Sequence, residues 1–178
     1  MTPYQLVTNL RVVRNFLPDP VPAHLIDQIL EAGRWTGSSK NRQLWSVVVL
    51  STQDGRHQLA EAGRYSDPVR NAPLALALVS LPDGHDFDIG RLAQNLMLSA
   101  DALGISSCPI TLHMEHRAAQ VLGIPPDHRC RYVIAMGYAD EAAEAAARAA
   151  SPLSGRKPMS EFVQFDSFSV QQEPEPVL

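Results

Sequence analysis

The sequence predicts a single α+β domain in which a sheet wraps around one buried helix. Three observations point to this class. Helix-like and strand-like segments are interleaved along 178 residues, a length that suits one domain with a proper core. The helices cluster early and centrally. Segment 89–103 carries a stripe of apolar and small residues so wide that we expect it at the centre of the fold or in a subunit interface.

The first half of the chain predicts short helices and two strands. Three segments predict helices: 4–10, 25–33 and 56–62, and 25–33 has its apolar residues at the spacing of an amphipathic helix. Two apolar segments predict strands: 45–50 and 72–79. Pro22 marks the start of the second helix, and Asp54-Gly55 is expected to turn the chain before the third. We expect the polar segment 63–71 to be a mobile loop over the site.

The second half predicts three helices and two extended segments. The helices are 89–103, 115–122 and 140–150, and the extended segments are 104–111 and 131–138. Gly104 and Gly123 stand where helices stop, and Pro109 should halt strand pairing and leave backbone amides free. The alanine-rich helix has high intrinsic propensity and is expected to be a solvated spacer.

The C-terminal segment predicts an assembly of two chains. Residues 156–163 are expected to be semi-extended, and Phe165 and Phe168 need a surface to pack on. Together with the apolar central helix, these aromatic residues predict a dimer that exchanges its ends. We expect one domain over 1–170 and a frayed tail over 171–178.

Composition excludes several classes of protein. The chain is 45% hydrophobic and 19% charged, as globular domains are, and its net charge of −4 without a Lys/Arg block excludes an electrostatic nucleic-acid surface. The N-terminus is too polar for a signal peptide and no apolar run reaches bilayer length, so we expect a cytoplasmic protein without a membrane partner. Cys108 and Cys130 form no disulfide framework and are expected to be reduced.

Two features suggest a ligand. Arg11 and Arg14 flank a β-branched pair and can face one side, where guanidinium groups bind phosphate well, although paired surface arginines are often only solvated. A donor-rich polar loop, 36–44, lies between Trp35 and Trp45. Its composition fits an ordinary helix-to-strand loop about as well as a loop that closes over a flat, polar ligand. Either tryptophan could be in the core or beside the ligand.

The cysteines and histidines suggest no further chemistry. The spacing of Cys108, His113 and His116 fits no tight zinc pattern, so we expect no metal site. A nucleophilic Cys108 would need a base and an electropositive setting, and we expect a small buried hydrophobe instead.

Four stretches spread over nearly the whole chain share a family pattern. In order they are Arg11-Val12-Val13-Arg14-Asn15-Phe16 with Pro20-Val21-Pro22, then Ser38-Ser39-Lys40-Asn41-Arg42-Gln43-Leu44-Trp45, then 88–111, then Arg156-Lys157-Pro158-Met159. Together they resemble the nitroreductase family of FMN-dependent oxidoreductases, in its short bacterial form. The resemblance implies a central, mostly antiparallel sheet around a buried helix, and a homodimer with exchanged ends and FMN sites at its interface.

The resemblance also implies which residues bind FMN. Arg11 and Arg14, with Arg156 or Lys157, would hold the phosphate. Val12 stands where the family usually has a hydroxyl residue, so only its backbone amide can serve, at a loss of roughly 1 kcal/mol.

Further contacts to the flavin ring are implied. Ser38, Ser39 and Asn41 would come from the second subunit. Gly37 and Leu44 replace two family prolines in this loop, which should leave it less rigid.

The strand end implies the remaining ring contacts. Pro109, Ile110 and Thr111 would lie against the isoalloxazine, with a backbone amide near Thr111 donating to flavin N5. Thr111 stands where some relatives have an acidic residue. No catalytic acid or base is implied.

The implied activity is transfer of a hydride from NADH or NADPH through flavin N5 to a nitroaromatic, quinone or similar small-molecule acceptor in a ping-pong scheme. The alternatives are a dehalogenase-like or dehydrogenase-like FMN enzyme, a flavin-binding or storage protein without turnover, and a protein with the fold but no cofactor. The family has no separate dinucleotide domain in which one residue would select NADH or NADPH.

Overall fold

One antiparallel sheet forms the centre of the protein. The structure, a computed structural model, describes residues 2–150 and 155–168. Its four strands are β1 Trp45–Leu50, β2 Leu74–Ser80, β3 Ser106–Thr111 and β4 Arg129–Gly137. Their order across the sheet is β1-β2-β4-β3, and every pairing is antiparallel. The predicted α+β class and antiparallel sheet are therefore confirmed, with β1 and β3 at opposite edges.

Helices cover both faces of this sheet. They are α1 Pro3–Asn9, α2 Ala23–Arg34, α3 Gln53–Ala60, α4 Asp67–Asn71, α5 Asp86–Ala102, α6 Glu115–Leu122, α7 Glu141–Ala150 and α8 Met159–Phe162. One face packs on α2 and α5, and the other on α3, α4 and α6. Strand β2 shows the alternation that produces two faces: Leu74, Leu76 and Leu78 join the first cluster, whereas Ala75, Ala77 and Val79 join the second.

The predicted central helix corresponds to α5. In the single chain it packs on one face of the sheet through Ile89, Leu92 and Leu96, while Arg91 on its other side is exposed. The prediction of a helix enclosed by the sheet thus stays a prediction for an assembly of two chains.

Two local predictions were wrong. Helix α3 begins at Gln53 because the Oγ1 of Thr52 accepts a hydrogen bond from the Gly55 N–H at 3.3 Å, which caps the helix and places Gly55 in its first turn. The segment predicted as a loop over 63–71 ends in helix α4, whose first turn contains Pro68, a residue suited to that position.

The C-terminal segment forms a short helix where an extended segment was predicted. Helix α8 closes because the N–H of Phe162 donates to the carbonyl of Pro158 at 3.2 Å. Phe165 and Phe168 are 84% and 83% exposed in the single chain. The predicted frayed tail, 171–178, lies outside the described residues. Within 2–150 and 155–168, no helix is both long and apolar enough to cross a bilayer.

Candidate functional site

The open edge of β3 is the centre of the candidate site. The N–H of Leu112 donates to the carbonyl of Arg131 at 2.8 Å, so the even-numbered residues of this segment direct their backbone groups to β4. Successive peptide groups of a strand alternate in direction. The backbone groups of Ser107, Pro109 and Thr111 therefore face away from β4, toward the outer edge of β3, which no strand pairs at Pro109 and Thr111.

The arginine-containing segment lies on one end of this edge. Val12 forms a parallel bridge with Ser107, and the N–H of Val13 donates to the Ser107 carbonyl at 3.0 Å. The structure thus brings Arg11 and Arg14 to the strand that carries the predicted ring-contacting residues. At about 3.3 Å per residue, Ser107 and Thr111 are about 13 Å apart along the strand.

Arg14 and Val12 keep donors available. The Nη1 of Arg11 donates to the carbonyls of Thr8 and Leu10 at 2.8 Å each, which ties this side chain to the end of α1. The Arg14 side chain is exposed, and within the described part of the chain no hydrogen bond or ion pair engages its guanidinium group or the Val12 N–H. Each of these two groups is therefore available to an anion.

Glu144 anchors the backbone of the arginine segment, a role that no pattern in the sequence indicated. Its Oε1 accepts hydrogen bonds from the N–H of Arg14 at 2.7 Å and from the N–H and Nδ2 of Asn15 at 2.8 Å each. Burial by itself would raise the pKa of this carboxyl, but these hydrogen bonds outweigh burial and hold the pKa below its ordinary value. The prediction that helix α7 is only a solvated spacer was therefore wrong at Glu144.

Three predicted ring-contacting residues occupy different environments. Pro109 is exposed and faces the open edge, where its missing N–H removes no ladder bond, so β3 continues through it to Thr111 and the prediction that it halts pairing was wrong. Ile110 has its side chain in the core cluster shared with α3, α4 and α6, and its backbone groups are directed to β4. Among the described residues no hydrogen bond engages the Thr111 N–H, so it is a free donor on the edge.

The loop that contains Ser38, Ser39 and Asn41 is strained. Lys40, Asn41 and Gln43 have φ angles of 50°, 52° and 50°, a left-handed conformation that is costly for residues other than glycine. Such backbone persists where the surroundings enforce it, commonly at ligand sites. This observation favours the ligand-loop interpretation over an ordinary connection.

Side chains hold this loop in place. Within it, the Oγ of Ser38 accepts from the N–H of Gln43 at 2.9 Å, and the Nε2 of Gln43 donates to Oδ1 of Asn41 at 3.0 Å. From α5, the Nη1 of Arg91 donates to the carbonyl of Gly37 at 2.7 Å. The loop is therefore pre-arranged by the chain itself.

The two halves of the candidate site lie at opposite edges of the sheet. The loop precedes β1, whereas the arginine segment bridges β3, and with β2 and β4 between them these edges are about 14 Å apart. A single chain therefore does not bring Ser38, Ser39 and Asn41 to Arg11 and Arg14. Arg156 and Lys157 are exposed, and no hydrogen bond or ion pair of the described residues ties them to either half.

Two residues, His113 and Tyr65, meet at the far end of the β3 edge, and the sequence did not indicate this pair. The Nδ1 of His113 accepts a hydrogen bond from the N–H of Arg64 at 3.3 Å. The ring of Tyr65 meets the His113 ring edge-on, with 6.3 Å between centroids. The 63–71 segment is polar, and its local pattern carries no information about distant contacts. Nothing in the sequence therefore indicated that it contacts the end of β3.

The cysteines are buried, and the two tryptophans differ in exposure. Cys108 and Cys130 are free and buried, and burial raises the pKa of their thiols to about 11 and about 12. The prediction that Cys108 is a small buried residue is therefore confirmed. Trp35 is exposed, and Trp45 packs against the cluster shared with α5. No group of three or more potential metal-ligating side chains occurs within 2–150 and 155–168.

Comparison with known proteins gives a consistent set of similarities. The sequence profile of the Nitroreductase family matches residues 8–81 and 63–138. Protein DrgA of Synechocystis sp. is 35% identical over 202 aligned positions, which cover 92% of this chain and 95% of DrgA. The 4-nitrobenzoate reductase of Pseudomonas putida is 36% identical over 78 residues, 44% of this chain and 33% of that enzyme.

The fold is also similar to that of a solved structure. The structure of the NADPH:FMN oxidoreductase from Vibrio harveyi in complex with NAD+ superposes with a TM-score of 0.82 at 20% identity. The superposition covers 95% of this chain and 79% of that chain.

Proposed function

Because this chain belongs to the nitroreductase family, we propose that it is an FMN-dependent oxidoreductase that uses NADH or NADPH to reduce a nitroaromatic, a quinone or a similar acceptor. FMN, when bound, supplies the hydride chemistry. The protein binds the cofactor, orients it and leaves one face open to both substrates in turn, which makes ping-pong kinetics the expected scheme.

One observation carries this proposal: the bridge between Val12 and Ser107. It places the arginine segment on the same open edge as Pro109 and Thr111. One end of the edge offers a free guanidinium group, which suits a phosphate, and the other offers a free backbone N–H, which suits a ring nitrogen or oxygen. The donors present on this edge therefore fit FMN in their chemistry.

The residues have distinct tasks in this proposal. Arg11 and Arg14 bind the phosphate, with Arg156 or Lys157 from the tail, and the Val12 N–H is the backbone donor beside them. Pro109 would contact the ring, and the Thr111 N–H would donate a hydrogen bond to it. Since reduction adds negative charge to a flavin, fixed donors and cations at the ring favour it.

The second subunit completes the proposed site. Ser38, Ser39 and Asn41 lie at the opposite edge from β3. In this proposal they reach the flavin from the partner protomer of a homodimer. The exposed aromatic residues of the single chain, among them Trp35, Phe165 and Phe168, are the kind of surface that such an interface covers.

An anaerobic absorbance experiment on the full-length protein with FMN tests the activity. NADH or NADPH should bleach the flavin bands, and a quinone or nitroaromatic should then restore them. Bands that persist with both donors would contradict reductase activity and favour a flavin-binding or dehydrogenase-like protein. A protein that binds no flavin would contradict the cofactor assignment.

Mixed dimers test whether the site is shared between subunits. Arg14→Gln and Asn41→Ala should each weaken FMN binding at both sites of a homodimer. A heterodimer of the two variants should keep one intact site and bind about one FMN per dimer, because both changes fall on the other site. If each site belonged to one chain, the heterodimer would contain no intact site, and that result would contradict the proposal.

A further inference from the structure

Helix α7 contains one buried carboxylate among exposed residues. Glu144 is 4% exposed, whereas Glu141 and Arg148 on the same helix are exposed. Placing a carboxylate out of water is costly unless hydrogen bonds and charges compensate it. Its Oε1 accepts three hydrogen bonds from Arg14 and Asn15, and its Oε2 lies 3.7 Å from Nη2 of Arg148.

These contacts join two parts of the chain that are about 130 residues apart in sequence. On the other side of the segment, the N–H of Val13 donates to Ser107, and the carbonyl of Asn15 accepts from the N–H of Asp140 at 3.0 Å. The backbone around Arg14 is therefore held between the edge of β3 and the start of α7. A guanidinium group on a fixed backbone loses less freedom when it binds an anion.

We propose that Glu144 is a positioning residue for the phosphate of FMN. Its carboxylate accepts hydrogen bonds from the N–H groups of Arg14 and Asn15, so these two amides are not available to the phosphate. The segment presents its guanidinium groups and the Val12 N–H to the phosphate instead. The fixed backbone keeps Arg14 two residues from the bridge between Val12 and Ser107, beside the edge of β3. This inference rests on the proposed function, because it requires that Arg11 and Arg14 bind a phosphate.

Comparison of FMN with riboflavin, which lacks the phosphate, separates positioning from general stability. Apoprotein of the full-length wild type, Glu144→Ala and Glu144→Gln is titrated with each flavin, and binding is followed by quenching of flavin fluorescence. Wild type should prefer FMN. We expect Glu144→Ala to weaken FMN binding about tenfold or more and to change riboflavin binding less than twofold.

The second variant and a matched control make the test decisive. The amide oxygen of Glu144→Gln can accept the same three hydrogen bonds, so it should recover most of the lost FMN affinity, and it also serves if Glu144→Ala does not fold. Glu141→Ala removes the same charge from an exposed position of α7 and should leave both affinities unchanged.

Three results would overturn the inference. Equal weakening of FMN and riboflavin binding would show a merely structural role, and unchanged binding of both would show that Glu144 has no role in binding. An equal effect of Glu141→Ala would assign the change to net charge. Failure of the proposed function is distinguishable, because the wild type itself would then bind no FMN or would show no preference for FMN over riboflavin.

Discussion

Replacing both Arg11 and Arg14 with glutamine should weaken FMN binding by about a hundredfold. In the proposed site each change removes a charge-assisted hydrogen bond to the phosphate, worth about 1.5 kcal/mol or more, and every 1.4 kcal/mol is a factor of ten in the dissociation constant. Among the described residues the Arg14 guanidinium group has no hydrogen bond or ion pair, and Arg11 loses two exposed hydrogen bonds, to Thr8 and Leu10, so the double change should cost the fold little. Titration of apoprotein with FMN measures the effect.

The control for this prediction is a charge-matched double variant. Arg117→Gln and Arg129→Gln each remove a partly exposed partner of a surface ion pair, with Glu61 and with Glu115, and such pairs contribute little to stability. This variant should bind FMN within about twofold of wild type. An equal loss in both double variants would show that overall charge, and not the arginine segment, attracts the cofactor.

The second large effect concerns the contact between α2 and α5. Leu96 is fully buried, and a Cβ atom at Gly33 would lie 2.6 Å from its Cδ2 atom. Leu96→Ala should destabilise the protein by about 3 kcal/mol, since it removes buried methyl groups and leaves a cavity. Gly33→Ala alone should destabilise by about 1 kcal/mol, because overpacking outweighs the gain in helix propensity.

In the Leu96→Ala background the sign of Gly33→Ala should reverse. The shortened side chain no longer occupies the space that the new methyl group needs, and the remaining tight contact, 3.2 Å to Cδ1 of Leu92, needs only a small shift of a flexible side chain. Part of the gain of about 1 kcal/mol in helix propensity therefore remains. Denaturant unfolding at one fixed protein concentration measures all four proteins of this cycle. Additive free energies would contradict the direct contact between these two positions.

Gly90 supplies the matched control for this cycle. It lies within α5, and a Cβ atom there would meet nothing within 4 Å. Gly90→Ala should therefore stabilise the protein by about 0.5–1 kcal/mol in both backgrounds, through helix propensity alone. A different effect in the two backgrounds would show that the helix responds to Leu96→Ala along its whole length.

Local pattern was sufficient for most elements of the fold. Strand β2 could be predicted because every residue from Leu74 to Val79 is apolar, and α6 because helical spacing ends at Gly123, which caps the helix with a φ of 64°. Errors arose where a short-range contact overrode the turn signal. The Thr52 side chain caps α3, so the helix begins at Gln53, two residues before Gly55.

The candidate site divides in the same way. The sequence by itself determined the family resemblance. It also identified the two stretches that carry candidate ligand-binding residues, the arginine segment and the Ser38–Asn41 loop, because each stretch is short and contiguous. Tertiary structure alone decided that these two stretches lie at opposite edges of the sheet, because edge position depends on strand order and not on local pattern. It also decided the role of Glu144, whose partners are 130 and 129 residues away and whose helix looks solvated in sequence. Residues so far apart come together only when the whole chain packs, and no periodicity within a single helix can encode that contact.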